Sequence, residues 1–118
     1  MSDRQPLKSA YLRFLQLMAA VETLPGMPEF DANEKALFDA LVLRWSQGQP
    51  MTVREAIGLS ELGSPATLHK RLQRVIGKDL LVAYHEGHDR RTKFLKPSDK
   101  GLAYIEWLGQ QLSQVQAH

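Results

Sequence analysis

Two helix starts follow one another across a short, glycine-containing connection, and that spacing constrains this chain more than any other feature. Thr52, with Glu55 three residues on, is a capping-box pair. It opens a short helix through about Leu59, with Val53, Ala56 and Ile57 as its apolar positions. Ser60-Glu61-Leu62-Gly63 connects it to a second start at Ser64-Pro65. A serine hydroxyl accepts from an orphan backbone N–H there, and proline fits the first helical position because its missing donor is not needed. Leu68, Leu72, Val75 and Ile76 then recur at helical spacing as one apolar stripe. Short helix, tight turn, longer helix is the order of a helix-turn-helix, with Leu62 expected to point inward and hold the crossing angle.

The other face of the second helix, Ser64 to Lys78, carries Thr67, His69, Lys70, Arg71, Gln73 and Arg74. Such residues donate to phosphates and to base edges, so this helix suits a DNA groove. Its N-terminal half, Ser64 to Arg71, is expected to read bases, and Arg74 and Lys78 to hold phosphates. Charge distribution points the same way. Residues 1–63 hold six Lys/Arg against eight Asp/Glu, whereas residues 64–100 hold nine against four. The remainder adds only Glu106, so the modest net charge of +2 hides a basic third of the chain. That is the footprint of a polyanion-binding face.

After Lys78 the period changes. Leu80 to Tyr84 is strand-like, and Phe94-Leu95 belongs to a second apolar segment. His85-Glu86-Gly87-His88-Asp89-Arg90-Arg91 lies between them, which predicts a β-hairpin with a charged tip. Pro97 cannot donate to a continuing ladder, and Ser98 follows as the cap of a last helix.

The remaining helices flank this core. Asp31 and Glu34 resemble a capping box and start a helix buried along Leu37, Phe38, Leu41, Val42 and Trp45, which Gly48-Gln49-Pro50 stops. Met51 is expected to form a brief strand. Residues 1–6 read as a frayed terminus, and Leu7 to Leu24 as a helix ended by Pro25-Gly26-Met27-Pro28. Leu7, Tyr11, Phe14, Met18 and Val21 step along that helix, and Leu12, Leu15 and Leu17 widen its apolar surface beyond one stripe. The last helix carries Ile105, Leu108, Leu112 and Val115 in the same excess. A helix apolar on more than one face needs cover on more than one side, from its own chain or from a second subunit. We expect a second subunit, with the two ends pairing across a twofold axis.

Helix, helix, helix-turn-helix, two-stranded wing and terminal helix is the layout of a winged-helix protein. From about Asp31 to Gly101 the chain resembles the multiple-antibiotic-resistance regulator (MarR) family of bacterial transcription factors. The most specific piece is Asp89-Arg90-Arg91 followed by Phe94-Leu95-Lys96-Pro97-Ser98 and Gly101. It is similar to the family's Asp-x-Arg, short strand, Leu-Thr-like helix entry and glycine. By resemblance, Arg91 reaches into a minor groove and Asp89 steadies it; the charge of the wing itself adds Arg90 and Lys93 as candidate DNA contacts. Two positions depart from the family pattern: Asp79 stands where glycine usually ends the recognition helix, and Arg71 where an apolar residue is common.

The expected fold is therefore mainly α with a small β-hairpin wing. One domain spans residues 1–118, with a helix-turn-helix core and wing at 31–97 and dimerisation helices at 1–24 and 98–118. The expected function is that of a homodimeric, sequence-specific regulator binding double-stranded DNA, a repressor acting by occlusion. Two other readings stay open: a winged-helix module for protein contact, and a DNA-binding component of a plasmid or phage replication or partition system. Tyr11, Tyr104 and Trp107 are candidates to line a pocket for a small-molecule effector. Cysteine is absent, which excludes disulfides and thiolate metal sites. His85 and His88 beside Asp89 lack a fourth ligand, so no metal is expected. No serine or histidine has a readable triad partner, so no enzyme and no cofactor are expected. MSDRQPLK has no signal-peptide pattern and no stretch is apolar enough to span a membrane, which makes the cytoplasm the expected location.

Overall fold

The computed structural model describes residues 5–22 and 31–116. The expected turn at Pro25-Gly26-Met27-Pro28 and the side chains of Val21 and Val115 lie outside the described residues. Five helices and one hairpin follow in chain order: α1 (Gln5–Glu22), α2 (Ala32–Ser46), α3 (Val53–Ile57), α4 (Pro65–Gly77), β1 (Leu81–Tyr84), β2 (Phe94–Pro97) and α5 (Asp99–Gln116). They group into two compact units, residues 28–102 and residues 1–27 with 103–118.

In the larger unit the helix starts follow from their caps. The Asp31 carboxylate accepts from the Glu34 amide at 2.7 Å. Only half of the expected capping box forms there, because the Glu34 carboxylate turns away to the Lys78 ammonium. At α3 both halves form: Thr52 Oγ1 accepts from the Glu55 amide, and Glu55 Oε1 accepts from the Thr52 amide, each at 3.1 Å. Ser64 caps α4 by accepting from the Thr67 amide at 3.3 Å, with Pro65 at the first position.

The apolar stripes of these helices meet. Leu37, Phe38 and Leu41 of α2, Ala56 of α3 and Leu68, Leu72 and Val75 of α4 are buried with Met51, Leu80, Leu81 and Leu95. Truncating a leucine of this set would cost about 2–5 kcal/mol, so the core holds the helix-turn-helix in register. α3 stops two residues earlier than its sequence suggests, and Ser60–Leu62, within the expected tight turn, forms a 3-10 turn. Gly63 ends that turn at φ +151°, a conformation L side chains rarely adopt, so glycine is needed there.

β1 and β2 pair antiparallel, with Leu81 opposite Pro97, Val82 opposite Lys96, Ala83 opposite Leu95 and Tyr84 opposite Phe94. Pro97 ends the ladder, as its missing donor requires. The segment before α3 joins the hairpin: Leu95 donates to the Met51 carbonyl at 2.9 Å, Val53 donates to the Lys93 carbonyl at 2.9 Å, and Thr52 bridges Phe94. The brief strand expected at Met51 is thus a single bridge that fixes the wing against the start of α3.

α4 closes through Asp79, which takes φ +63°. Aspartate enters the left-handed region more readily than most residues, so the departure from glycine keeps the helix stop. Ser98 Oγ then donates to the Asp79 carbonyl and accepts from the Gly101 amide. That hydroxyl ties the end of α4 to the start of α5.

In the smaller unit, α1 buries Leu17 and leaves Leu7, Tyr11, Leu12, Phe14 and Leu15 exposed. Met18 is half-buried. In α5, Tyr104 is buried, Ile105, Trp107 and Leu108 are half-buried, and Leu112 is exposed. No helix among the described residues is long and apolar enough to cross a membrane.

Candidate nucleic-acid interface

The stripe that buries Leu68, Leu72 and Val75 turns the other side of α4 outward. Ser64, Thr67, His69, Lys70, Gln73 and Arg74 are all exposed. Their contacts differ. Ser64 Oγ donates to Thr67 Oγ1 at 2.9 Å, so these two hydroxyls form a pair at the helix start. The Thr67 amide is taken up by Ser64 Oγ and the Leu68 amide by the Ser64 carbonyl, so the first turn of α4 is capped from within the chain.

Arg71 behaves differently from its neighbours. It is half-buried, and its Nη1 donates to the Leu62 carbonyl at 2.9 Å, nine residues back. The guanidinium thereby fastens α4 to the 3-10 turn, a task an apolar residue would perform by packing. Lys78 is likewise engaged, in an ion pair with Glu34, whose side chain is only 6% exposed. The Lys78 carbonyl also accepts from Lys100 Nζ at 3.2 Å. The end of α4 is thus held by α2 and by the first turn of α5. Periodicity alone cannot find these links, which join residues far apart in the chain.

The wing places Asp89, Arg90, Arg91 and Lys93 in solvent. Asp89 Oδ1 accepts from the Arg91 amide at 2.9 Å, an Asx-type turn that sets the backbone from which Arg91 projects. This bond, followed by the Thr92 hydroxyl, holds the Asp89 carboxyl below its ordinary value. His85 Nδ1 lies 2.8 Å from the Thr92 carbonyl, bridging the base of the loop. Tyr84 and Phe94 meet below it with ring centroids 5.8 Å apart. Burial first, and the nearby Glu86 carboxylate second, push the Tyr84 hydroxyl up.

Between the wing and the helices lies a cleft of about 680 Å³. Arg54 of α3, His69 of α4, and Arg91 and Lys93 at the wing line it with Thr52 and Thr92, and no carboxylate is among the lining residues. Arg54 was not singled out by its sequence context. Its nearest basic neighbour in the chain is ten residues away at Arg44, so only folding brings it beside the wing.

No family model and no curated protein matches the sequence. Solved structures do match. S. aureus MepR in complex with DNA is 14% identical, with a TM-score of 0.55 over 98% of this chain and 82% of that one. Bordetella bronchiseptica BpsR, described with regulation of its DNA binding by 6-hydroxynicotinic acid, is 21% identical, with a TM-score of 0.51 over 94% and 73%. Streptomyces coelicolor AbsC, a MarR-family transcriptional regulator, is 18% identical, with a TM-score of 0.54 over 97% and 72%. Together with the helix-turn-helix and its paired wing, these likenesses give the chain the winged-helix fold of MarR-type transcriptional regulators.

Proposed function

We propose that this chain is a sequence-specific regulator of transcription that binds double-stranded DNA as a homodimer and represses by occluding a promoter. The observation that carries the reading is the shared exposure of two donor-rich elements, the front of α4 and the wing, on a fold whose neighbours include a DNA complex. α4 enters a major groove, where His69, Lys70 and Gln73 meet base edges and Arg74 meets phosphate. Arg90 and Arg91 enter the adjacent minor groove, where a narrow A-tract attracts arginine. A second subunit repeats both contacts about 10 bp away on a pseudo-palindromic site. The exposed apolar residues of α1 support the pairing, because Leu7, at 73%, and Tyr11, at 61%, gain nothing from water. BpsR suggests the class of effector to screen, a small aromatic acid.

Fluorescence anisotropy on mixed-sequence duplex at low salt tests the reading. We expect binding that weakens steeply with salt, by about 0.9 in log K per log salt for each phosphate neutralised. The double variant Arg90→Ala with Arg91→Ala should bind more weakly and with a flatter salt dependence. Folded protein that ignores duplex at low salt would remove the regulator reading and favour a protein-contact module.

A further inference from the structure

The geometry points to a phosphate seat in the cleft between the wing and the helix-turn-helix, with Arg54 as its anchor. The inference rests on the DNA-binding reading above and adds a residue and a part of the nucleic acid to it. With α4 in a major groove and the wing in the neighbouring minor groove, the sugar–phosphate strand that separates those grooves must pass between the two elements. The cleft occupies that place, and its charge fits the strand. Arg54, Arg91 and Lys93 line it with His69, the Thr52 and Thr92 residues add polar groups, and no acid is among the lining residues.

The neighbouring acids are occupied elsewhere. Glu55 is turned back onto the Thr52 amide, and Asp89 accepts from the Arg91 amide, so each carboxylate already has a backbone donor. Arg54 differs from the other cleft cations in its support. It stands on α3, whose first turn is fixed by a complete capping box and whose Val53 amide bonds the Lys93 carbonyl. An arginine on a fixed helix presents its planar fork to one phosphate at small entropic cost. Because phosphates are alike in every sequence, Arg54 positions the protein on the duplex without reading a base.

The test is a set of anisotropy titrations across salt concentrations. Wild type, Arg54→Ala and Arg54→Lys are compared on a duplex selected from a random pool and on a scrambled duplex of equal length. Arg54→Ala should bind both duplexes more weakly by a similar factor, roughly tenfold at low salt. Its salt slope should fall by about 0.9 per subunit. Arg54→Lys should keep most of the slope, and all three proteins should melt alike. A wild-type slope for Arg54→Ala overturns the seat. So does a loss confined to the selected duplex, which would make Arg54 a base-reading residue. Failure of wild type to bind either duplex is a different result, and it removes the parent reading together with the seat.

Discussion

A methyl group added at Gly101 would lie 2.3 Å from the Leu80 carbonyl oxygen, so the first turn of α5 approaches the end of α4 as closely as backbone allows. Nothing at that site is a flexible side chain that could move aside. Gly101→Ala should therefore destabilise the protein by about 1–3 kcal/mol, as overpacking does, and a urea titration will read the shift in midpoint. The wing turn answers to pH. Asp89 has a folded pKa below its ordinary 3.8, chiefly through the Arg91 amide. A carboxyl depressed by folding lends its support at pH above the unfolded value and withdraws it as pH falls through the folded one. The Arg91 amide resonance should thus stay constant through neutral pH and move only at acid pH, with a midpoint below 3.8. A midpoint at or above that value would mean the Asp89–Arg91 bond does not form in solution.

At the scale of the element, α4 combines two kinds of basic residue that look alike in the sequence. Arg71 fastens the helix to the turn through the Leu62 carbonyl, whereas Arg74 stands in solvent. Arg71→Ala should cost roughly 1 kcal/mol of stability, the usual worth of one such bond, and leave the salt slope of DNA binding unchanged. Arg74→Ala should do the reverse, lowering the slope by about 0.9 per subunit with little effect on melting. If the two variants exchange these outcomes, the roles of the two arginines have been transposed. The wing is an element of the same mixed kind. Its strands are seated by Leu81 and Leu95 in the core, while its tip carries charge outward.

For the whole molecule the unresolved balance of α1 is the main lever. Leu7, Tyr11, Leu12, Phe14 and Leu15 are exposed along one helix, and Tyr11 and Phe14 stack on each other with centroids 6.4 Å apart. Apolar residues in this number on one surface element favour association, which supports the proposed homodimer. Sedimentation velocity at micromolar concentration should show a dimer. Replacing Leu7 and Phe14 together with serine should shift it to monomer and weaken DNA binding, since two half-sites could no longer be held at once. A monomeric wild type would remove the twofold model of operator binding while leaving the α4 and wing contacts of a single chain in place.

The order of elements was legible in the sequence because helix caps, turn residues and hydrophobic period are local signals. Ser64-Pro65, Thr52 with Glu55, and the switch to a strand period after Lys78 all act within a few residues of themselves. The exposed front of α4, from Ser64 to Arg74 with the exception of the half-buried Arg71, followed from the same periodicity. Tertiary structure alone decided what each charge is placed against. Lys78 reads as one more cation of α4, and only the fold shows that Glu34, forty-four residues away, pairs with it. Arg71 reads as one more cation until its helix is laid against the Leu62 carbonyl. Arg54 reads as an ordinary surface residue until the wing closes a cleft beside it. Charges act through space, so their roles depend on distances that only the packed core sets.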